Sequence, residues 1–282
     1  MSILHEQQVK LNEKNGVTFL TFPVLEKQPF VQHAFSTRIG GVSRKEYSSL
    51  NLAFGRGDAD ENVMENYRRI CMAAGFDVDT MVSSAQVHRT VIRRVGSENS
   101  GEGFTKPKPA GVDGLITNEP NVTLVTHYAD CVPLYFVDPV CKAIGLAHSG
   151  WRGTAARIGA EMVRTMSKEF GSRPEDLICV IGPSIGPCCF EVDTPVYEIF
   201  TQMEDLSPTE WIQIDGGEKY HIDLWEVNRR ILMQVGVLPK NISISALCTR
   251  CHPDLLFSHR ASGGKRGGLA AFLAIKGEDD EN

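Results

Sequence analysis

The sequence predicts an α/β (α+β) fold, a single domain with helices layered around a central mixed β-sheet. Three observations carry that expectation. Short apolar segments such as Val17–Phe22 and Val132–Val137 interleave with amphipathic segments of helical spacing. Neither an internal repeat nor a clean linker divides the 282 residues, so 1–282 reads as one unit. The apolar fraction of 42% and charged fraction of 23% suit a chain that buries a core of its own without disulfide staples.

Each element has its own local signal. Residues 1–15 are polar and 277–282 acidic, and both ends are expected to be flexible. Val17–Phe22 alternates as a first strand that Pro23 ends, and Phe30–Phe35 is the second. Arg38, Gly40 and Gly41 lie in the turn that follows, which either joins a hairpin or presents backbone N–H groups to an anion. Asp60 and Glu61 open a helix in which Val63, Tyr67, Ile70 and Ala74 share a face, and Gly75 closes it. Val91–Val95 reads as a strand. Gly96–Gly111, rich in Gly, Ser and Pro, reads as a long structureless loop, a lid or a disordered connection.

Order resumes at Asp113–Thr117, and the strands Val122–Thr126, Val132–Val137 and Ala143–Ala147 follow, with Asp138-Pro139 turning between the last two. Gly150 and Gly153 lead into a helix over 155–170, striped by Ile158, Met162, Met166 and Phe170. That strand–glycine turn–helix sequence sets free N–H groups and a positive dipole end beside His148, with Arg152 in the first turn. Helices are expected over 195–203 and 224–235, and strands over Leu177–Ile181, Ile242–Leu247 and Leu269–Ile275.

The net charge of -6 offers no basic face for nucleic acid, so an anionic substrate would have to be met by local arginines. Residues 1–10 lack an apolar core, and no apolar run approaches the ~20 residues a membrane-spanning helix needs. A cytoplasmic protein with no membrane partner is expected. In that reducing compartment the eight cysteines read as buried thiols, metal ligands or nucleophiles rather than disulfides.

Two of the strands carry chemistry at their ends. Cys131 precedes Val132–Val137 and His148 follows Ala143–Ala147, so neighbouring strands bring a thiolate and an imidazole towards one atom. That arrangement serves a metal, or a nucleophile with its base. Adding His88 makes a set of one cysteine and two histidines. Such a set suits zinc with an open fourth position, and copper also binds such donors. A buried thiol with two unrelated histidines is the plainer alternative. Cys248-Thr-Arg-Cys251-His252 matches a haem-attachment or redox pattern, but no export signal precedes it and Pro253 follows the histidine. Structural cysteines are the preferred reading there, and Cys188-Cys189 reads as packing.

Several motifs together resemble one family. These are His33-Ala-Phe-Ser-Thr-Arg38, Gly40-Gly41-Val-Ser43, Ser49-Leu-Asn51-Leu-Ala53, Gln86-Val-His88, Ala129-Asp-Cys131-Val-Pro133, His148-Ser-Gly-Trp-Arg-Gly153, and Gly182-Pro-Ser-Ile-Gly186 with Cys189-Phe-Glu-Val192. Over about His33 to Ile275 the chain resembles the bacterial laccase-domain family, first called polyphenol oxidase, which includes the peptidoglycan editing factor. The resemblance implies zinc held by His88, Cys131 and His148. It also implies phosphorolysis of adenosine, inosine and methylthioadenosine, with some adenosine deamination, so purine nucleoside and phosphate are the expected partners. Arg38 and Arg152 are the candidates for phosphate and Asn51 for the nucleoside, while Asp130 is placed to orient a ligand or shuttle a proton. The family's paired C-terminal arginines are shifted here to Arg260, Lys265 and Arg266, which receive no role. The rival readings are a Cys131/His148 thiol hydrolase (an amidase or a cell-wall precursor editing enzyme), a copper-dependent phenol oxidase, and a binding protein with structural zinc. The oligomeric state has no signal in the sequence.

Overall fold

Strand segments that are apolar on both faces need a cover on both faces, and this requirement sets the architecture. A computed structural model describes residues 8–214 and 219–277. Its first mixed sheet has the order β1 (Lys10–Lys14), β2 (Val17–Thr21), β3 (Val31–Ser36), β15 (Leu269–Ile275), β7 (Thr123–Tyr128) and β4 (Met81–Ser83). The second has the order β14 (Ile242–Ile244), β10 (Ile178–Ile181), β8 (Val132–Asp138), β9 (Ala143–Ser149), β6 (Gly114–Thr117) and β5 (Ile92–Arg94). The pairs β4–β7, β10–β14 and β5–β6 are parallel and the remaining neighbours antiparallel. The expected mixed sheet is therefore divided in two.

Alternation along each strand sorts the apolar residues into three cores. Leu20, Phe35, Leu124 and Leu273 of the first sheet meet Tyr135, Val137, Ile144 and Leu146 of the second in the inner core. On the outer side of the first sheet, α2 (Asp60–Ala74) packs Val63, Tyr67 and Ile70 on Val17, Val125 and Phe272. Outside the second sheet, α4 (Ile158–Phe170) and α6 (Leu224–Gln234) pack Met162, Val163, Val227 and Ile231 on Leu134, Phe136 and Ile181. The layers are thus helix, sheet, sheet and helix. Four further helices, among the described residues, are α1 (Pro23–Glu26), α3 (Trp151–Ala155), α5 (Thr194–Thr201) and α7 (His259–Ser262). No helix among the described residues is long and apolar enough to cross a membrane.

The element readings hold closely at α2, which Gly75 ends at φ 81, and at β15. Elsewhere tertiary contacts intervene. The helix expected over 155–170 is interrupted where Arg157 takes φ 62 and binds Asp205 and Gln234, leaving α3 and α4. The loop over 96–111 is ordered. Its backbone bonds to β4 through Gly101 N–H to Met81 C=O (2.8 Å) and Ser83 N–H to Glu102 C=O (2.9 Å), and Phe104 meets the Tyr67 ring at 4.9 Å. Gly, Ser and Pro correctly mark it as irregular, but its hydrogen-bond partners are distant in sequence. Part of the expected flexible end 1–15 forms β1, a polar edge strand in register with β2 from Lys10↔Thr21 to Lys14↔Val17. Residues 1–7 and 278–282 lie outside the described residues. A small sheet of β11 (Glu191–Asp193), β13 (Lys219–Ile222) and β12 (Ile212–Ile214) carries too few apolar residues to stand out in sequence.

Two tyrosines tie the sheets together across the inner core. The Tyr135 hydroxyl on β8 donates to the Ala34 carbonyl on β3, and the Tyr128 hydroxyl on β7 donates to the Ala147 carbonyl on β9, each at 2.9 Å. Tyr135→Phe keeps the ring and loses only the cross-sheet bond. Urea unfolding is expected to show a loss of about 1 kcal/mol. No change would mean that this bond does not hold the sheets together.

Candidate metal centre

Three chain segments bring the chemistry together. Cys131 stands one residue before β8, and His148 near the end of β9 lies opposite Pro133 in the β8–β9 register. His88 follows β4 and has φ 62, an uncommon conformation for a residue other than glycine. The three ligand atoms lie within 4.8 Å of one another. The Cys131 Sγ is 3.8 Å from the His88 Nε2, and the two imidazoles meet edge to face at 4.7 Å between centroids. Gly150 makes this approach possible, because a Cβ there would fall 2.6 Å from His88 Cδ2 and 3.1 Å from Cys131 Sγ.

Asp113, fully buried ahead of β6, orders both histidines. Its carboxylate accepts the N–H groups of Val87 (3.1 Å), His88 (2.9 Å) and Arg89 (2.9 Å), which sets the His88 turn. The Asp113 Oδ1 also lies 3.0 Å from the His148 Nδ1, leaving the His148 Nε2 for the centre. Burial favours the neutral acid, but the His148 and backbone hydrogen bonds outweigh it and hold Asp113 below the usual carboxylate range. Burial likewise opposes charge on Cys131, yet the adjacent His148, then His88, draw the thiol down to about 6. The reverse balance lifts His148 to about 9: burial works against it, while the Cys131 charge and the Asp113 bond prevail. Without metal, these groups form a thiolate–imidazolium pair.

Two cavities of about 290 and 380 Å³ meet at the triad, and both are lined by Arg56, His88, Ala129, Cys131 and Arg266. The first is polar, with Gln86, Lys108 and His127 in its wall. The second presents Trp151, Ile185, Phe190 and Leu224, with Asp130, His259 and Arg260 at its side. Burial, with repulsion from Arg56, pulls Arg266 below its ordinary value. Among the described residues the buried Arg266 Nε has no hydrogen-bond partner, and its Nη1 donates to the Gly267 carbonyl. Burial also pushes the Lys108 ammonium down. An anion entering the first cavity meets Arg56, Lys108 and Arg266 together.

The structure brings His88, Cys131 and His148 together, keeps Asp130 in the wall of the second cavity beside them, and gives Arg38, Asn51 and Arg152 other surroundings. Arg38 lies over the Phe257 ring at 4.6 Å and donates to the carbonyls of Ser48 and Pro253, outside both cavity walls. The Asn51 amide is fully buried, accepting from the N–H groups of Ala53 and Gly268 and donating to Asp58. Arg152 lies on the exposed side of α3 over the Trp151 ring at 4.1 Å. Asp130, at φ 85, accepts from the Thr249 hydroxyl (2.5 Å) and the Arg260 N–H (2.7 Å). The groups that do face the triad and were not singled out are Asp113, Arg56, Lys108 and Arg266. Arg266 alone had a signal, as part of the shifted basic segment.

The model of the family described as multi-copper polyphenol oxidoreductase laccase matches residues 32–276. A Bacillus subtilis (strain 168) protein named purine nucleoside phosphorylase YlmD is 38% identical over 247 residues, spanning 86% of this chain and 87% of its own. Among solved structures, the hypothetical protein YfiH of Bacillus licheniformis superposes with a TM-score of 0.89 at 33% identity, covering 94% of this chain and 99% of that one. YlmD from Geobacillus stearothermophilus does so with a TM-score of 0.86 at 35% identity, covering 95% and 99%.

The Asp113–His148–Cys131 linkage has a measurable consequence in protein stripped of metal. Below a midpoint of about 6, Cys131 is a thiol and reacts slowly with iodoacetamide; above it, the thiolate reacts fast. Asp113→Asn weakens the imidazolium that holds the thiolate, so the alkylation midpoint of Cys131 should rise by about one pH unit. An unchanged midpoint would separate Asp113 from the pair.

Proposed function

We propose that this chain, which belongs to the multi-copper polyphenol oxidoreductase laccase family, is a purine nucleoside phosphorylase with zinc at His88, Cys131 and His148. The observation that carries this reading is the triad itself, opening onto two cavities that share a pair of arginines. One thiolate and two imidazoles are a donor set that zinc prefers. Zn–N bonds of ~2.0 Å and Zn–S bonds of ~2.3 Å imply ligand separations of roughly 3.5 Å, in keeping with the Cys131–His88 distance. A multi-copper oxidase is a poorer fit, since two histidines and one cysteine supply ligands for one ion rather than several. When bound, zinc would supply a Lewis acid with a vacant position towards the substrate.

The chain's own residues do the rest. Arg56 and Arg266 would hold inorganic phosphate, as charge-assisted donors to its oxygens, against the ribose C1′. Arg38 and Arg152, the sequence's candidates for this role, face elsewhere. Trp151, Ile185 and Phe190 offer apolar surface to a purine in the second cavity. A phosphate oxygen forms the bond to C1′ as the bond to the base nitrogen breaks, and the electron pair leaves with the base. The departing base takes up its proton from solvent, while Lys108 in the wall of the first cavity adds a further cation for the phosphate. The products are the free purine and ribose 1-phosphate. Adenosine, inosine and methylthioadenosine are the proposed substrates, with adenosine deamination as a side reaction of the same site.

One observation favours a second reading. Cys131, His148 and Asp113 also have the order of a nucleophile, its base and the group that orients the base. A metal-free thiol hydrolase would use them so, and metal content decides between the two.

Inosine and phosphate, incubated with protein purified without added metal, are expected to give hypoxanthine and ribose 1-phosphate on chromatography. His88→Ala, Cys131→Ala and His148→Ala should each remove one equivalent of zinc and at least 100-fold of turnover, on the order of 3 kcal/mol. Full turnover in any of them would refute the zinc reading. Arg266→Met should raise the KM for phosphate about 10-fold or more, as expected for losing a charge-assisted bond of roughly 1.5–3 kcal/mol.

A further inference from the structure

A second group of metal-binding side chains lies outside that reaction. The segment after β10 and the segment after β14 run side by side. Ser184 N–H donates to Leu247 C=O at 3.2 Å, Thr249 N–H donates to Ser184 C=O at 3.0 Å, and Ser184 bridges Cys248. This pairing collects Cys188, Cys189, Cys248 and Cys251, whose sulfurs all lie within 4.8 Å of one another. The Cys251 Sγ is 3.5 Å from Cys188 and 3.4 Å from Cys189, and all four are free thiols.

We propose that Cys188, Cys189, Cys248 and Cys251 bind a single zinc ion as a closed tetrathiolate site. Sulfurs at ~2.3 Å from zinc in a tetrahedron are roughly 3.8 Å apart, which is the scale of this cluster. A disulfide joins two sulfurs at ~2.05 Å, whereas here Cys251 stands nearly equidistant from two others, as around a shared centre. Cys248 and Cys251 are separated by a two-residue turn, the spacing with which one ion is gripped twice from a single bend. Two nitrogen donors reach the sulfurs. Gly186 donates its N–H to the Cys248 Sγ at 3.2 Å, and the Arg250 guanidinium bonds to Cys189 and faces Cys251 and Cys248. Four thiolates around a dication carry a net charge of -2, which these donors offset. Cys188 and Cys251 are exposed and provide the entry path.

Four sulfur ligands leave no vacant position, so the site is structural and each thiol releases its proton to solvent on binding. Its effect falls on the catalytic cavity. The segment it clamps carries Ile185 and Phe190, and Arg260 donates to the carbonyls of Cys189 (3.3 Å) and Glu191 (3.0 Å) from beside that wall.

Metal analysis of the full chain, purified without added metal, tests this. Cys248→Ser/Cys251→Ser should lose one equivalent of zinc relative to the parent, while His88→Ala should retain that equivalent, so failure of either site is read separately. Cobalt substituted into the unmutated protein provides a check that does not depend on a variant folding. It should show the thiolate-to-cobalt charge transfer and intense ligand-field bands of a tetrahedral sulfur-only site, and these should persist in His88→Ala. Equal zinc content in parent and double variant would overturn the proposal. So would a disulfide among the four in a non-reduced digest, or their ready alkylation in untreated native protein.

Discussion

One buried carboxylate holds the centre in shape. Asp113 accepts three successive backbone N–H groups from the turn that carries His88, and it faces the ring nitrogen of His148 that points away from the site. Three backbone donors of an exposed turn and a buried imidazole thus converge on one fully buried acceptor. The same carboxylate therefore stabilises the uncommon backbone at His88 and selects the orientation of His148. Because Asp113 immediately precedes β6, which pairs with β9, the sheet register aligns it with His148. The placement of His148 and of its carboxylate partner is inherited from strand pairing.

The layering explains why the cavity sits where it does. His127 lies in the first sheet's β7 and the His88 turn follows β4, while Cys131 immediately precedes the second sheet's β8 and His148 lies in β9. The site occupies the seam at the ends of two sheets whose faces are locked by apolar side chains and crossed by tyrosine hydroxyls. One strand, the residue leading into its neighbour and one carboxylate-held turn thus carry the three side chains, and loops supply the cations that face them.

The two cysteine-bearing clusters divide the work by ligand count. Three donors at the seam would leave an ion one coordination place facing a cavity, whereas four sulfurs beside it would enclose an ion completely. Closed around an ion, the four-cysteine cluster would tie together the segments that carry Ile185 and Phe190 of the second cavity's wall.

The sequence by itself determined the periodic elements and the ends of adjacent strands. Cys131 and His148 were legible because a single turn separates their strands, so pairing brings them together. His88 was legible only through the motif around it, since nothing local says that a turn before β5 reaches the same point. Arg38 and Asn51 stand in conspicuous motifs, yet their hydrogen-bonding groups are occupied in holding loops together, as buried polar groups require. Only the tertiary structure decided that Asp113 orders both histidines and that Arg56 and Arg266 face the triad. It alone also gathered Cys188, Cys189, Cys248 and Cys251, pairs drawn from segments about sixty residues apart, into one cluster. The physical reason is the same throughout. Periodicity is encoded between near neighbours, while the direction of a side chain's charge or sulfur depends on which distant strand supplies the other wall.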